Sequence, residues 1–364
     1  MDEFYESHCR ASQMWPNRPA EKHPSLCSLR GENAHRATDT QRLTLLRERL
    51  PIPGSLLRLT PACPMNTTFL NADVKRLEIP GRVRLQEGNG ELLKVEIDTD
   101  FSEAELYLQG AHITEFSRKG EAPLLFTSHF SRFEKQQAIR GGVPVIFPWF
   151  AAREGEPFHG FARISQWRLN EVTALPAGGV SLRLALGPVS AAATWPPFTL
   201  NYVVTVTDTL RLELIATNTS ADQQLSFEDC LHTYFHVGDI HGIKVQGLKG
   251  VTYLDKVDSF AAKVEQNDAI SITGETDRVY QDTTSTVEIS DPTLKRRIRV
   301  EKAGSASTVL WNPWIGRAQQ MPDFGNEEYL KMVCVESGNV GKNRVILPPG
   351  KSHVLSVVLS SHPL

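Results

Sequence analysis

At 364 residues the chain has room for one large all-β domain or two domains of ordinary size. Hydrophobic residues make up 40% and charged residues 22%, which excludes a disordered polymer. The formal net charge of -3 supplies no global field, so nucleic acid is not an expected partner and any anion site must rest on locally placed arginines. No apolar run approaches the ~18 residues of a membrane helix, so no membrane association is expected. The five cysteines, Cys9, Cys27, Cys63, Cys230 and Cys334, are scattered and lack zinc spacing. With no secretory signal ahead of them, a reduced, cytoplasmic setting is the expectation. Cys230 and Cys334 lie in apolar strands and read as small core residues.

Residues 1–64 lack period-2 alternation and are broken by Pro16, Pro19, Pro24, Pro51, Pro53, Pro61 and Pro64. One short amphipathic helix is expected over Thr40 to Leu50, with Leu43, Leu46 and Leu50 on one stripe. Acids such as Asp2, Glu3, Glu6 and Glu21 argue against a transit peptide. The segment reads as a poorly ordered extension, and Met65 as the opening of a self-sufficient domain over residues 65–364.

From about residue 70 strand follows strand. Leu93, Val95 and Ile97 alternate with polar neighbours, as do Leu182, Leu184 and Leu186. Leu200 to Thr207 and Leu210 to Ala216 flank Asp208-Thr209 with hairpin spacing. Further strands are expected at Thr286–Ile289, Arg297–Glu301, Thr308–Trp311, Met332–Glu336 and Val354–Leu359. Many short strands, turn residues between them and almost no helical periodicity predict a large antiparallel sandwich. No fixed-period repeat suggests a propeller.

Between the first strands lies Arg140-Gly-Gly-Val-Pro-Val-Ile-Phe-Pro-Trp149, followed by His159-Gly-Phe-Ala-Arg163. Arginine suits phosphate because its planar fork donates two parallel hydrogen bonds. A lone arginine is more often a surface residue, but Gly141-Gly142 beside Arg140 would let backbone approach a ligand. No Walker loop is present.

If 231–237 is one strand, His232, Tyr234 and His236 share a face and predict a lined cleft. A solvated sheet face explains the same spacing, and two histidines two apart could chelate a metal, although no third ligand lies close by. Asp277 reads as a turn acid beside a strand, and Trp311-Asn-Pro-Trp314 offers aromatic faces for either core or sugar. Glu336 closes the run Met-Val-Cys-Val. It is either a half-exposed cap or a general base held partly out of water.

Taken together, six blocks in order resemble the glucose-6-phosphate 1-epimerase family, the hexose-6-phosphate mutarotases of the aldose 1-epimerase group. They are Ile139-Arg-Gly-Gly-Val-Pro-Val-Ile-Phe-Pro-Trp149, His159-Gly-Phe-Ala-Arg163, Leu231-His-Thr-Tyr-Phe235, Thr276-Asp-Arg-Val-Tyr280, Trp311-Asn-Pro-Trp314 and Cys334-Val-Glu-Ser-Gly338. The resemblance runs from about Leu70 to the C-terminus and implies a β-supersandwich of the galactose mutarotase type. It implies exchange of α and β anomers of a hexose 6-phosphate, with Glu336 as base and His232 as acid. Arg140 and Arg163 would contact phosphate, Asp277 a sugar hydroxyl, and His159 would neighbour the reacting centre. Phe158 stands where some members carry a contacting glutamine, and Ala151 where a glycine is usual.

The implied chemistry sets a carboxylate and an imidazolium on opposite sides of the acetal and needs no cofactor, metal or covalent intermediate. The expected partner is a small-molecule hexose phosphate, and the chain is expected to act as a monomer. Two other readings use the same residues: a mutarotase of unphosphorylated aldoses, and a non-catalytic sugar-phosphate-binding protein.

Overall fold

Period-2 alternation forces one set of side chains in each strand to one side of a sheet, and most strands here bury alternate residues. The structure, a computed structural model, describes residues 75–364. The extension expected over 1–64, with its Thr40–Leu50 helix, lies outside the described residues. Leu93–Asp98, Val180–Leu186 and Leu210–Asn218 form where the alternation predicts them. The hairpin expected at Asp208-Thr209 joins Phe198–Val206 to Leu210–Asn218 in register Val206↔Leu210.

Among the described residues every strand pairing is antiparallel. A four-stranded meander, Val83–Glu87 to His112–Arg118, precedes two larger sheets of eight and nine strands. The nine-stranded sheet has Ser352–Pro363 between Arg296–Ala303 and Leu210–Asn218. The eight-stranded sheet contains Thr276–Gln281, Ser307–Asn312 and Met332–Asn339 as neighbours, with Asp229–Leu231 and Tyr234–His236 both paired to the last. Leu184, Tyr202, Leu212 and Val357 from one sheet pack in a single cluster with Leu310, Val333, Val335 and Phe235 from the other. That shared core is the sandwich that the succession of short alternating strands predicts. No helix among the described residues is long and apolar enough to cross a membrane.

Met332–Asn339 is buried along its whole length. Val333 and Val335 point into the main core, so Cys334 and Glu336 must point out of the opposite face. On that face the register aligns Asp277 with Trp311, Trp311 with Cys334, and Cys334 with Tyr234. Cross-strand partners stand side by side. One row of the sheet therefore collects residues that are far apart in sequence.

Candidate active site

A cavity of about 580 Å³ opens over this row. Its walls include Arg140, Phe158, His159, His232, Asp277 and Glu336. Of the six residues to which the family resemblance gives a role, five line the cavity and Arg163 does not. The Arg163 side chain is half-buried, and its Nη2 donates to the carbonyl of Phe158 at 2.6 Å.

His232 does not lie within a continuous strand. The chain leaves the sheet at His232-Thr233 between Asp229–Leu231 and Tyr234–His236. Its backbone N–H instead donates to Pro144 at 3.1 Å. Tyr234 still shares its side, because its ring stacks on the imidazole with centroids 4.8 Å apart and planes 10° from parallel. His236 does not join them. Its carbonyl is taken by Arg296 at 2.7 Å, and its side chain is not part of the cavity wall.

Glu336 is likewise no strand cap. The strand continues three residues past it to Asn339, and Glu336 pairs in register with Val309. It is 1% exposed, and His232 is 7% exposed. His232 Nε2 lies 3.3 Å from Glu336 Oε1. The two groups thus touch on one wall, which corrects the expectation that they stand on opposite sides of a bound acetal. Glu336 Oε2 accepts a hydrogen bond from the Cys230 thiol at 3.6 Å. Cys230 is the small buried residue the sequence predicts, and it also fills the second oxygen of the carboxyl.

Burial dominates the protonation of this pair. It pushes the Glu336 carboxyl well above the ordinary range, and Asp277 adds to the effect, against Lys256, Cys230 and Arg163. Burial also holds the His232 imidazole well below its ordinary value, helped by the charges of Arg163 and Arg140. Burial thus favours the uncharged form of each group, carboxylic acid beside imidazole. Nδ1 of His232 is buried without a hydrogen-bond partner among the described residues.

His159 packs edge-on against His232, centroids 5.6 Å apart. Its Nδ1 accepts the Ala151 N–H at 3.0 Å, so the proton of the neutral ring sits on Nε2. Burial, then Arg163 and His232, keep it neutral. Ala151 has φ +64, the left-handed region, which explains why a glycine is usual there. Phe158 is half exposed at the rim and meets the His159 ring edge-on at 4.1 Å.

Arg140 reaches the cavity with part of its fork already engaged. Its Nε and Nη2 lie 3.2 and 3.1 Å from Asp323 Oδ2, and Nη1 donates to the Tyr234 hydroxyl at 3.1 Å. The adjacent glycines serve backbone rather than ligand. A Cβ on Gly141 would meet Phe126 O at 2.4 Å, and one on Gly142 would meet Ile113 O at 2.0 Å. Asp277 pairs with Lys256 Nζ at 2.7 Å. Burial raises the Asp277 carboxyl, and Lys256 partly offsets that. Lys256 and Cys230 carried no signal in the sequence for these positions. A lone lysine in Leu-Asp-Lys-Val-Asp looks like any surface turn. Of the Trp311-Asn-Pro-Trp314 pair, Trp311 lines the cavity, while Trp314 packs toward Tyr329 at 5.3 Å.

The chain is similar to known proteins along most of its described length. The pattern of the aldose 1-epimerase family matches residues 93–360. A protein of Cenchrus ciliaris, provisionally named a glucose-6-phosphate 1-epimerase, is 35% identical over 269 residues, covering 71% of this chain and 82% of its own. A protein of Escherichia coli with the same provisional name is 33% identical over 268 residues, covering 72% and 89%. A solved Salmonella typhimurium structure, provisionally described as a mutarotase, superposes with a TM-score of 0.72 at 31% identity, covering 79% and 96%. The chain is an isomerase that belongs to the aldose 1-epimerase family.

Proposed function

We propose that the protein interconverts the α and β anomers of a hexose 6-phosphate, glucose 6-phosphate in particular, by acid–base opening and closing of the ring. The observation that carries this reading is the 3.3 Å contact between His232 Nε2 and Glu336 Oε1 inside a sugar-sized cavity. The C1 hydroxyl and the ring oxygen are bonded to the same carbon. An acid and a base one hydrogen bond apart on a single wall therefore match them.

In the neutral pair, one proton moving from Glu336 to His232 yields carboxylate and imidazolium with no change in the total proton count. The carboxylate then takes the C1 hydroxyl proton while the imidazolium protonates the ring oxygen. The C1–oxygen bond breaks, leaving an aldehyde. Rotation about C1–C2 presents its other face, and the two groups exchange roles on closure. Each such partner is worth ~10²–10⁴-fold in rate. Asp277 and Lys256 would hold sugar hydroxyls, and His159 would donate from Nε2 beside the reacting centre.

Phosphate selectivity is supported by the names of the relatives and by the cations Arg140 and Arg163, the latter acting from behind Phe158. A second reading, action on unphosphorylated aldoses, is favoured by one observation: Asp323 already neutralises Arg140. Anomer exchange followed by NMR, with glucose 6-phosphate beside glucose, tests the proposal. A clear preference for the phosphate ester is expected. Equal rates would favour the second reading, and no acceleration of either sugar would leave only a binding protein.

A further inference from the structure

We infer that Arg317, rather than Arg140 alone, selects for the phosphate monoester; the inference rests on the hexose 6-phosphate reading above. The cavity lining contains three cations, Arg140, Lys256 and Arg317. Two of them are already matched by carboxylates. Asp323 lies against the Nε and Nη2 of Arg140, and Asp277 against the ammonium of Lys256. These pairs cancel two of the three cationic charges of the lining.

A phosphate monoester carries close to two negative charges near neutral pH and presents three acceptor oxygens. It needs a cation whose donors are free. Arg317 is exposed, and its side chain makes no hydrogen bond or ion pair among the described residues. All five of its N–H donors are therefore available in a planar fork. The other charged residue of the lining without a partner among the described residues, Glu275, is an exposed carboxylate and would repel the ester.

The backbone under Arg317 is fixed even though its fork makes no hydrogen bond among the described residues, its charge being felt by Asp277. Arg317 sits in the short helix Trp314–Ala318. Asn312 anchors the start of that helix by accepting the Trp314 N–H at 2.9 Å while its Nδ2 donates to the carbonyls of Tyr329 and Met332, both at 2.9 Å. The Arg317 carbonyl accepts from Gln320 at 3.1 Å. The same connection continues through Gln320 and Met321, both in the lining, to Asp323, the carboxylate on Arg140. A fixed base with an unpaired fork at the mouth is suited to closing on a phosphate whose sugar lies deeper, over His232 and Glu336.

The test compares wild type, Arg317→Ala and Arg317→Lys on glucose 6-phosphate and on glucose by NMR anomer exchange, with melting temperatures recorded for each. Loss of a charge-assisted contact at an exposed site should cut the preference for the phosphate ester about 10-fold in Arg317→Ala. The loss should lie in KM, with kcat kept, and it should shrink at high salt. Arg317→Lys should restore part of the preference, since it keeps the charge and loses the fork. A wild type that prefers glucose 6-phosphate, with Arg317→Ala retaining that preference, would overturn the inference and leave the substrate reading standing. Equal losses on both sugars would mean that Arg317 only supports its helix. A wild type without any phosphate preference would remove both.

Discussion

Ala151 and His159 hold each other through two backbone-anchored bonds. The Ala151 N–H donates to His159 Nδ1 at 3.0 Å, and the His159 N–H returns to the Ala151 carbonyl at 2.9 Å. This clasp sets which nitrogen of His159 faces the cavity, and it requires Ala151 to keep φ +64.

An alanine in that region carries strain of ~1–2 kcal/mol, part of which glycine gives back as unfolded-chain entropy. Ala151→Gly should therefore raise stability by about 1 kcal/mol or leave it unchanged, with activity kept. Ala151→Val should lower both, because a branched side chain abandons the left-handed region and releases His159. Thermal melts and anomerisation rates check this. A marked loss of stability in Ala151→Gly would show that the Ala151 methyl packs usefully.

Much of the scaffold was legible because sandwich strands announce themselves by alternation. Leu93–Asp98 and Leu210–Asn218 are examples, each with one face on the core. What period 2 could not reveal is where a strand is interrupted. His232 reads as mid-strand, yet the chain leaves the sheet there to bond Pro144. Glu336 reads as a terminus because Ser-Gly-Asn follows it, yet those residues stay in the sheet, where Gly338 lies so close to Asp229 O that a Cβ would come within 2.4 Å. Long-range register, such as Asp277 beside Trp311, belongs to no local pattern. Nor does the pairing of Arg140 with Asp323, 183 residues away.

The acid–base pair makes the plainest prediction. Glu336→Gln and His232→Asn should each lower turnover at least ~10²-fold, the scale of one general acid or base. Neither should unfold the protein, since burial favours the uncharged form of Glu336 and glutamine is its uncharged near-isostere. Turnover within a few-fold of wild type in either variant would remove the assignment.

Arg140 should behave selectively. Arg140→Ala should weaken glucose 6-phosphate binding by ~1.5–3 kcal/mol, the range for a hydrogen bond to a charged group, with little change on glucose. Asp323→Asn should act in the opposite sense, tightening competitive inhibition by inorganic phosphate, because it lifts the counter-charge from the Arg140 fork. Inhibition constants for phosphate in the two variants decide the matter. If both variants weaken phosphate alike, the pair acts as a structural tie.

Among the described residues the cavity lining begins at Arg140, and the family match starts at residue 93. A chain beginning at Met65 should therefore keep full anomerase activity and an unchanged melting temperature. Only buried or hydrogen-bonded backbone resists removal. An insoluble or destabilised product would mean that the Leu43, Leu46 and Leu50 stripe docks on the sandwich.

Asp229 makes the pH prediction. It is 1% exposed, accepts from Asn339 Nδ2 at 2.8 Å and lies 3.5 Å from His353 Nε2. Burial lifts its carboxyl from 3.8 to about 7, against the lowering effect of Asn339 and with a small push from Glu228. Between those two values the folded chain holds a proton that the unfolded chain has released, so stability falls as pH rises. The contribution is complete below the unfolded value, is lost through about pH 7, and is flat above it. Asp229→Asn keeps the oxygen facing Asn339 and has no proton to lose, so this slope should vanish. The two proteins should melt close together near pH 4, and the variant should melt several degrees higher at pH 8, a difference on the order of a few kcal/mol. Burial holds the His353 imidazole below its ordinary value, so its own contribution runs in the opposite direction and is lost as pH falls. An equal gap at pH 4 and pH 8 would mean that Asp229 is ionised throughout.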